Sequence, residues 1–209
     1  MKIFCIAEVL ILPLALLLAV VRSLQGPVFF PLRALAVVYA AFFRGVPTIL
    51  VITLLGFGAP ALQLSHVPTS TTFWGIVALV LVYTAYVSEV YRAGIESVHP
   101  SQGGAARSLG LSHGQSLRYV ILPQAVRRVI PPLLNDFIGL QKDTALVGVL
   151  GVIEAFRQTQ IDQAATFNFT PGVVAAVLFL LITIPLTRLT DWLISRDRRR
   201  LLAAAGAPV

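Results

Sequence analysis

The sequence contains one cysteine, one methionine and three histidines in 209 residues. A single cysteine, Cys5, excludes an internal disulfide and any multi-cysteine metal site, and its place in an apolar run predicts a lipid-facing side chain. His66, His99 and His113 lie far apart without metal-ligand spacing, so no metal site is expected. No stretch fits the phosphate-cradling pattern GxxxxGK[ST], and the chain therefore holds no ATPase of its own. HExxH, GxSxG and paired membrane aspartates are also missing, which removes the common chemistries of an intramembrane enzyme and leaves no catalytic residue to nominate. Charge is sparse at 12%, with 9 acidic against 16 basic side chains and a net charge of +7.

Apolar length is abundant. Hydrophobic residues make up 57% of the chain and the mean hydropathy is +0.85, more apolar surface than one soluble core of this size can hide. Lipid is the expected solvent. Five runs approach or exceed the ~20 residues needed to cross a hydrocarbon core: Ile3 to Val21, Ala34 to Leu62, Thr72 to Glu89, Gln124 to Ile153 and Val173 to Ile194. The first resembles a signal peptide, since Lys2 precedes it. However, Glu8 interrupts it, Arg22 follows directly and no small-x-small cleavage site precedes a polar region, so it reads as a span. The second is over-long and contains Arg44, Gly45 and Pro47, so Ala34 to Arg44 is expected to form an interfacial elbow with the true span starting near Val46. No linker or repeat divides residues 1–209, which read as one all-α membrane domain.

The basic residues lie at the ends of apolar runs rather than in a polar patch with interleaved aromatics, which argues against nucleic acid and for the positive-inside rule. Arg22, Arg33, Arg92, Arg107 and Arg118 fall between runs one and two or three and four, Arg127 and Arg128 stand at the start of the fourth beside that segment, and Arg196, Arg198, Arg199 and Arg200 follow the fifth. Those segments are expected in the cytoplasm, giving a multi-pass chain with its N terminus outside and its C terminus inside. Trp74, Tyr83, Tyr86 and Trp192 fall near the ends of the runs and are expected in aromatic belts.

The cytoplasmic loop at about 93–123 is a basic, turn-punctuated island. Ser101 can cap a short helix to Leu109, Gly110 can end it in the left-handed conformation and Leu111 can fold back against it. Ser112 with Gln115 forms a capping-box pattern for a second helix, with Pro123 after Tyr119 to Leu122. Two short helices with a sharp bend are expected. Gly103 and Gly104 in the first turn each weaken it by about 1 kcal/mol and predict a frayed start. Ala105 and Ala106 permit close approach to another protein. From the residues alone, a docking helix and an ordinary cytoplasmic loop are equally well served.

Lys142 and Asp143, in the fourth run, would each cost about 2.5–3.5 kcal/mol at the centre of a lipid-exposed helix, so both should face protein or a watery cavity. Pro131, Pro132, Gly139, Gly148 and Gly151 favour a broken helix whose second half starts near Thr144. A free helix start with Lys142 would attract a carboxylate and Asp143 an amino group, the outline of a zwitterion receptor. The competing reading is that the two residues pair with neighbouring helices and only hold the subunit together. Asn135, Asp136 and Gln141 share the run, and Asn135 and Asp136 would line the path or bond across helices. Glu89 and Arg92 at helical spacing predict a simple solvated pair at the cytoplasmic interface. Arg44 would either snorkel to the inner headgroups or brace a cytoplasmic gate.

The loop resembles the EAA loop of the permease subunits of bacterial ABC importers: EAA, three residues, Gly, nine residues, Ile, one residue, Leu-Pro. Ala105, Ala106, Gly110, Leu122 and Pro123 match in register, Val120 stands for the Ile and Gly104 for the Glu. YVSEVYRAGIESVHPSQ (Tyr86 to Gln102), ILPQAVRRVIPPLLNDFIGLQKDTAL (Ile121 to Leu146) and FFRGVP (Phe42 to Pro47) narrow the resemblance to the polar amino acid uptake branch, collinear over residues 3 to 200. The resemblance implies a type I importer permease of about five spans in the bacterial cytoplasmic (inner) membrane. It further implies that Gln102, Gly104, Ala105, Ala106, Arg107, Leu109, Gly110 and Leu111 dock on ABC ATPase subunits that bind ATP and magnesium, with no cofactor in this chain. A second permease copy or paralogue, an extracytoplasmic binding protein and an amino acid complete the expected partners. The rival from another class is an ion-coupled carrier or channel using Lys142 and Asp143 as its coupling site.

Overall fold

In the computed structural model, residues 2–24 and 26–204 are described, without the side chains of Asp197, Arg198 and residues 200–204, and every regular element among them is helical. The order is α1 (Lys2–Ser23), α2 (Phe30–Gly45), α3 (Thr48–Ala61), α4 (Thr71–Glu96), α5 (Pro100–Ser108), α6 (His113–Ser116), a π turn (Leu117–Ile121), α7 (Leu122–Asp143), a 3-10 segment (Thr144–Leu150), α8 (Ala155–Thr166) and α9 (Thr170–Ala204).

α4 is the centre. Its membrane-length window is 56% buried within the protomer, against 28% for α1 and 6% for α9, so the bundle is built around α4 and α9 lies outermost. α1 presents Phe4, Ala7, Ile11, Ala15 and Ala19 to the interior, a three-and-four spacing that keeps one face inward and lets alanine backbones approach α4 closely. Ile52 of α3, Leu79 and Val82 of α4, Leu140 of α7 and Val147 of the 3-10 segment fill the core behind it.

The over-long second run breaks where expected. α2 and α3 meet at 101°, because Pro47 forces Val46 into the extended conformation (φ −96°, ψ 132°) and then caps α3 itself. α1, α4 and the Thr170–Arg196 part of α9 are long and apolar enough to cross a membrane, and the α2–α3 pair adds a fourth candidate if counted together. α7 is not among them. Arg127, Arg128, Asp136, Lys142 and Asp143 within 22 residues make it too polar, so the expected fourth span is a helix unsuited to direct lipid contact.

Pro131 and Pro132 do not break α7, contrary to expectation. Both accept a helical φ, and the cost falls on the carbonyls of Arg127 and Arg128, which lose their donors four residues on. The break comes near Thr144, as expected, where α7 tightens into the 3-10 segment that ends at Gly151 with φ +79°. Tyr83 is also not in an aromatic belt: only 7% exposed, it belongs to the core.

Candidate functional site

In the loop between α4 and α7, helix α5 starts two residues sooner than the sequence suggested. Pro100, with φ already helical and no N–H to lose, takes the first helical position of α5, so His99 becomes the cap and its Nδ1 accepts from the Ser101 backbone N–H at 3.2 Å. Ser101 is therefore inside the helix and is not the cap. Gly103 and Gly104 fall fourth and fifth in α5 rather than in a frayed first turn, and a glutamate at 104 would find no capping-box partner. The C-terminal end matches expectation. Gly110, at φ +85°, lets the Leu111 N–H reach the Ala106 carbonyl at 3.2 Å and its own N–H reach that of Arg107 at 2.9 Å, closing a Schellman motif.

The second cap also forms as read: the Gln115 N–H donates to Ser112 Oγ at 3.3 Å and the Ser112 N–H to Gln115 Oε1 at 2.9 Å. The helix it starts does not stop at Pro123. Instead, the π turn Leu117–Ile121 widens the coil, with the Leu122 N–H bonded to the Leu117 carbonyl, and the chain continues directly into α7. The island is thus one short helix followed by the entry to a long one.

The loop is tied to the membrane bundle at both ends. Arg128 of α7 donates to the Ser97 carbonyl at the end of α4, and Gln124 Nε2 bridges the Val120 carbonyl at 2.9 Å and Gln102 Oε1 at 3.5 Å. α4 and α7 are in close contact there because Gly94 has no side chain: a Cβ on it would collide with Val129. On α5, Ala105, Arg107, Ser108 and Leu109 face outward, Leu109 at 84% exposure. Ala106 does not. It is 4% exposed and packs inward, so the close-approach role expected of both alanines is open only to Ala105.

Next to the loop is a charge cluster. Glu89 Oε2 receives Arg22 at 2.7 Å and lies 3.5 Å from Arg44, its Oε1 receives Arg92, and Arg92 continues to Glu96. The expected solvated Glu89–Arg92 pair is instead a network of α1, α2 and α4 with the carboxylate side chain 21% exposed. Arg22 was missed as a member, since 67 residues separate it from Glu89; the available signal was that both charges end apolar runs.

Along α7, Asn135 and Lys142 are exposed, two turns apart on one side, and Lys142 makes no ion pair among the described residues. Asp143 is half-buried on another side, its Oδ2 accepting from Tyr83 Oη at 3.0 Å. Asp136 Oδ2 and Gln141 Oε1 are buried without a partner among the described residues. The zwitterion receptor expected from adjacent Lys142 and Asp143 is therefore not assembled: the side chains diverge and Tyr83 takes the carboxylate. No free helix start exists at Thr144 either, because its N–H is bonded to the Leu140 carbonyl and its hydroxyl to the Gln141 carbonyl at 2.7 Å.

Residues 11–199 match the family described as the binding-protein-dependent transport system inner membrane component. The chain belongs to this family. It is accordingly a transport subunit with an ABC-type permease fold rather than an enzyme, and the family implies an ATPase partner. Among similar proteins, Probable glutamine ABC transporter permease protein GlnM of Bacillus subtilis (strain 168) is 35% identical over 80% of this chain and 76% of its own length. The Arginine transport system permease protein ArtQ of the same organism is 34% identical over 83% and 80%. A solved structure described as an amino acid ABC transporter with histidines superposes with a TM-score of 0.83 at 31% identity, covering 93% of this permease and 89% of that chain. The inward-facing MetNI methionine ABC transporter, at 18% identity and a TM-score of 0.69, shares the fold.

Proposed function

We propose that this permease is the membrane half of an ATP-driven importer for a polar amino acid. Two copies, or one copy and a paralogue, face each other; two ATPase subunits bind ATP and magnesium below them; an extracytoplasmic binding protein delivers substrate from above. Residues 1–209 act as one permease domain with five membrane segments, the N terminus outside and the C terminus in the cytoplasm. The relatives named for glutamine and arginine support the substrate class.

The observation carrying this reading is the outward face of α7. Asn135 and Lys142 are exposed in the protomer on a helix that packs against α4 and α9, and Lys142 alone would cost about 2.5–3.5 kcal/mol in lipid. A second permease facing it would enclose a wet path in which Asn135 and Lys142 meet a polar solute. ATP binding closes the ATPase pair, α5 moves with it, and the link from Gln102 through Gln124 carries the motion into α7.

The test is uptake of labelled amino acids into proteoliposomes holding the permease with its ATPase and binding protein. Uptake should require internal ATP, and Lys142→Met should abolish it while the assembled complex still hydrolyses ATP in response to the binding protein. Uptake that follows an ion gradient and ignores ATP would contradict the importer, and failure of the Lys142→Met complex to assemble would make Lys142 a structural residue.

A further inference from the structure

α9 carries a feature that transport does not use. Its 35 residues rise about 52 Å at 1.5 Å each, well past the ~30 Å hydrocarbon core. Starting from Thr170, some 20 residues of crossing end close to Trp192, whose indole suits the headgroup boundary. Arg188, Trp192, Arg196 and Arg199 then fall within about 80° of arc on one helix face, and all four are exposed. Arg196 leans back toward the bilayer, its guanidinium lying 5.0 Å from the Trp192 ring centroid. This is the direction helical side chains take, toward the N-terminal end, so Arg196 and Arg199 both reach down to headgroup depth; Arg188, one turn before Trp192, reaches the same depth by snorkelling its long side chain the opposite way.

We propose that this face binds the headgroups of anionic phospholipids in the inner leaflet. Three guanidiniums bracketing an interfacial indole form a phosphate-binding comb, with each fork able to take two phosphate oxygens. Of the two acids in this stretch, Asp191 lies about 60° off Arg188 and makes no ion pair with it among the described residues, and Asp197 has its Cα about 180° around the helix from Arg188. Of the three membrane-length helices α9 is the least covered by the protomer, so its face is open to lipid. The inference rests on the proposed orientation, which puts the arginines on the cytoplasmic side.

The experiment reads Trp192 fluorescence in the full chain with Trp74, the only other tryptophan, replaced by Phe. The protein is reconstituted in vesicles containing brominated phosphatidylglycerol or brominated phosphatidylcholine at equal mole fraction. Quenching by the phosphatidylcholine alone establishes that Trp192 is at the lipid boundary; no quenching by either lipid overturns that placement and the proposal with it. The anionic lipid should be preferred roughly three-fold or more, a preference that high salt weakens. Arg188→Gln/Arg196→Gln/Arg199→Gln should reduce the ratio to about one, while the corresponding Lys variant keeps it. Equal quenching by both lipids in the native protein would overturn the proposal and leave the placement intact. Loss of ATPase binding in the Gln variant with unchanged lipid preference would also overturn it, making the face a protein contact.

Discussion

Glu89 is one carboxylate shared by three guanidiniums from three helices, Arg22, Arg44 and Arg92. A neutral amide there would leave three positive charges facing one another at the end of the bundle. With the side chain 21% exposed, the penalty is less than for a sealed ion pair, so Glu89→Gln should cost about 1–3 kcal/mol. Its thermal midpoint in detergent should fall by several degrees, and an unchanged midpoint would show that the arginines find other partners. Arg44 thus anchors the α2–α3 elbow rather than snorkelling to headgroups. Gly110 was legible from the sequence because only a residue indifferent to positive φ suits that helix end. Ser101 was misread because the fixed φ of Pro100 outweighs a serine cap one residue later.

At the scale of helices, the loop is held against the membrane bundle by the close approach of α4 and α7 at Gly94. Gly94→Ala would drive a methyl into Val129 and push the helices apart, at about 1–3 kcal/mol. Adding Val129→Ala removes the colliding methyl, so the double variant should recover most of the loss in a detergent melt. Additive damage instead would place the strain elsewhere. The apolar runs announced α1, α4 and α9 because lipid imposes one composition on every exposed face, and Pro47 announced the elbow because proline restricts its predecessor. α7 was harder. Its prolines read as breaks yet sit inside the helix, and its two adjacent charges read as one receptor although neighbouring helical residues point about 100° apart. The Tyr83–Asp143 bond and the Arg22–Glu89 bridge are contacts between distant segments that no local pattern specifies.

At the scale of the whole molecule, the parts divide the work by exposure. A buried α4 holds the bundle together and α9 lies peripheral, while in the proposed function the polar α7 faces a second subunit and α5 turns Ala105, Arg107 and Leu109 to the cytoplasm. In the proposed function the motion that drives transport enters through α5, a compact helix tied to the start of α7 by the Gln124–Gln102 contact, where Arg128 in turn ties α7 to the end of α4. The direct measurement is capture of the partner ATPase by the detergent-purified permease, comparing the native chain with Leu109→Asp. Leu109 is 84% exposed, so the substitution leaves the fold intact, whereas a change at buried Ala106 would damage the loop itself. The native chain should retain ATPase at one subunit per permease, and Leu109→Asp should lose at least ten-fold of that affinity, about 1.4 kcal/mol or more. Equal capture by both proteins, or by neither while both stay folded, would contradict docking through α5.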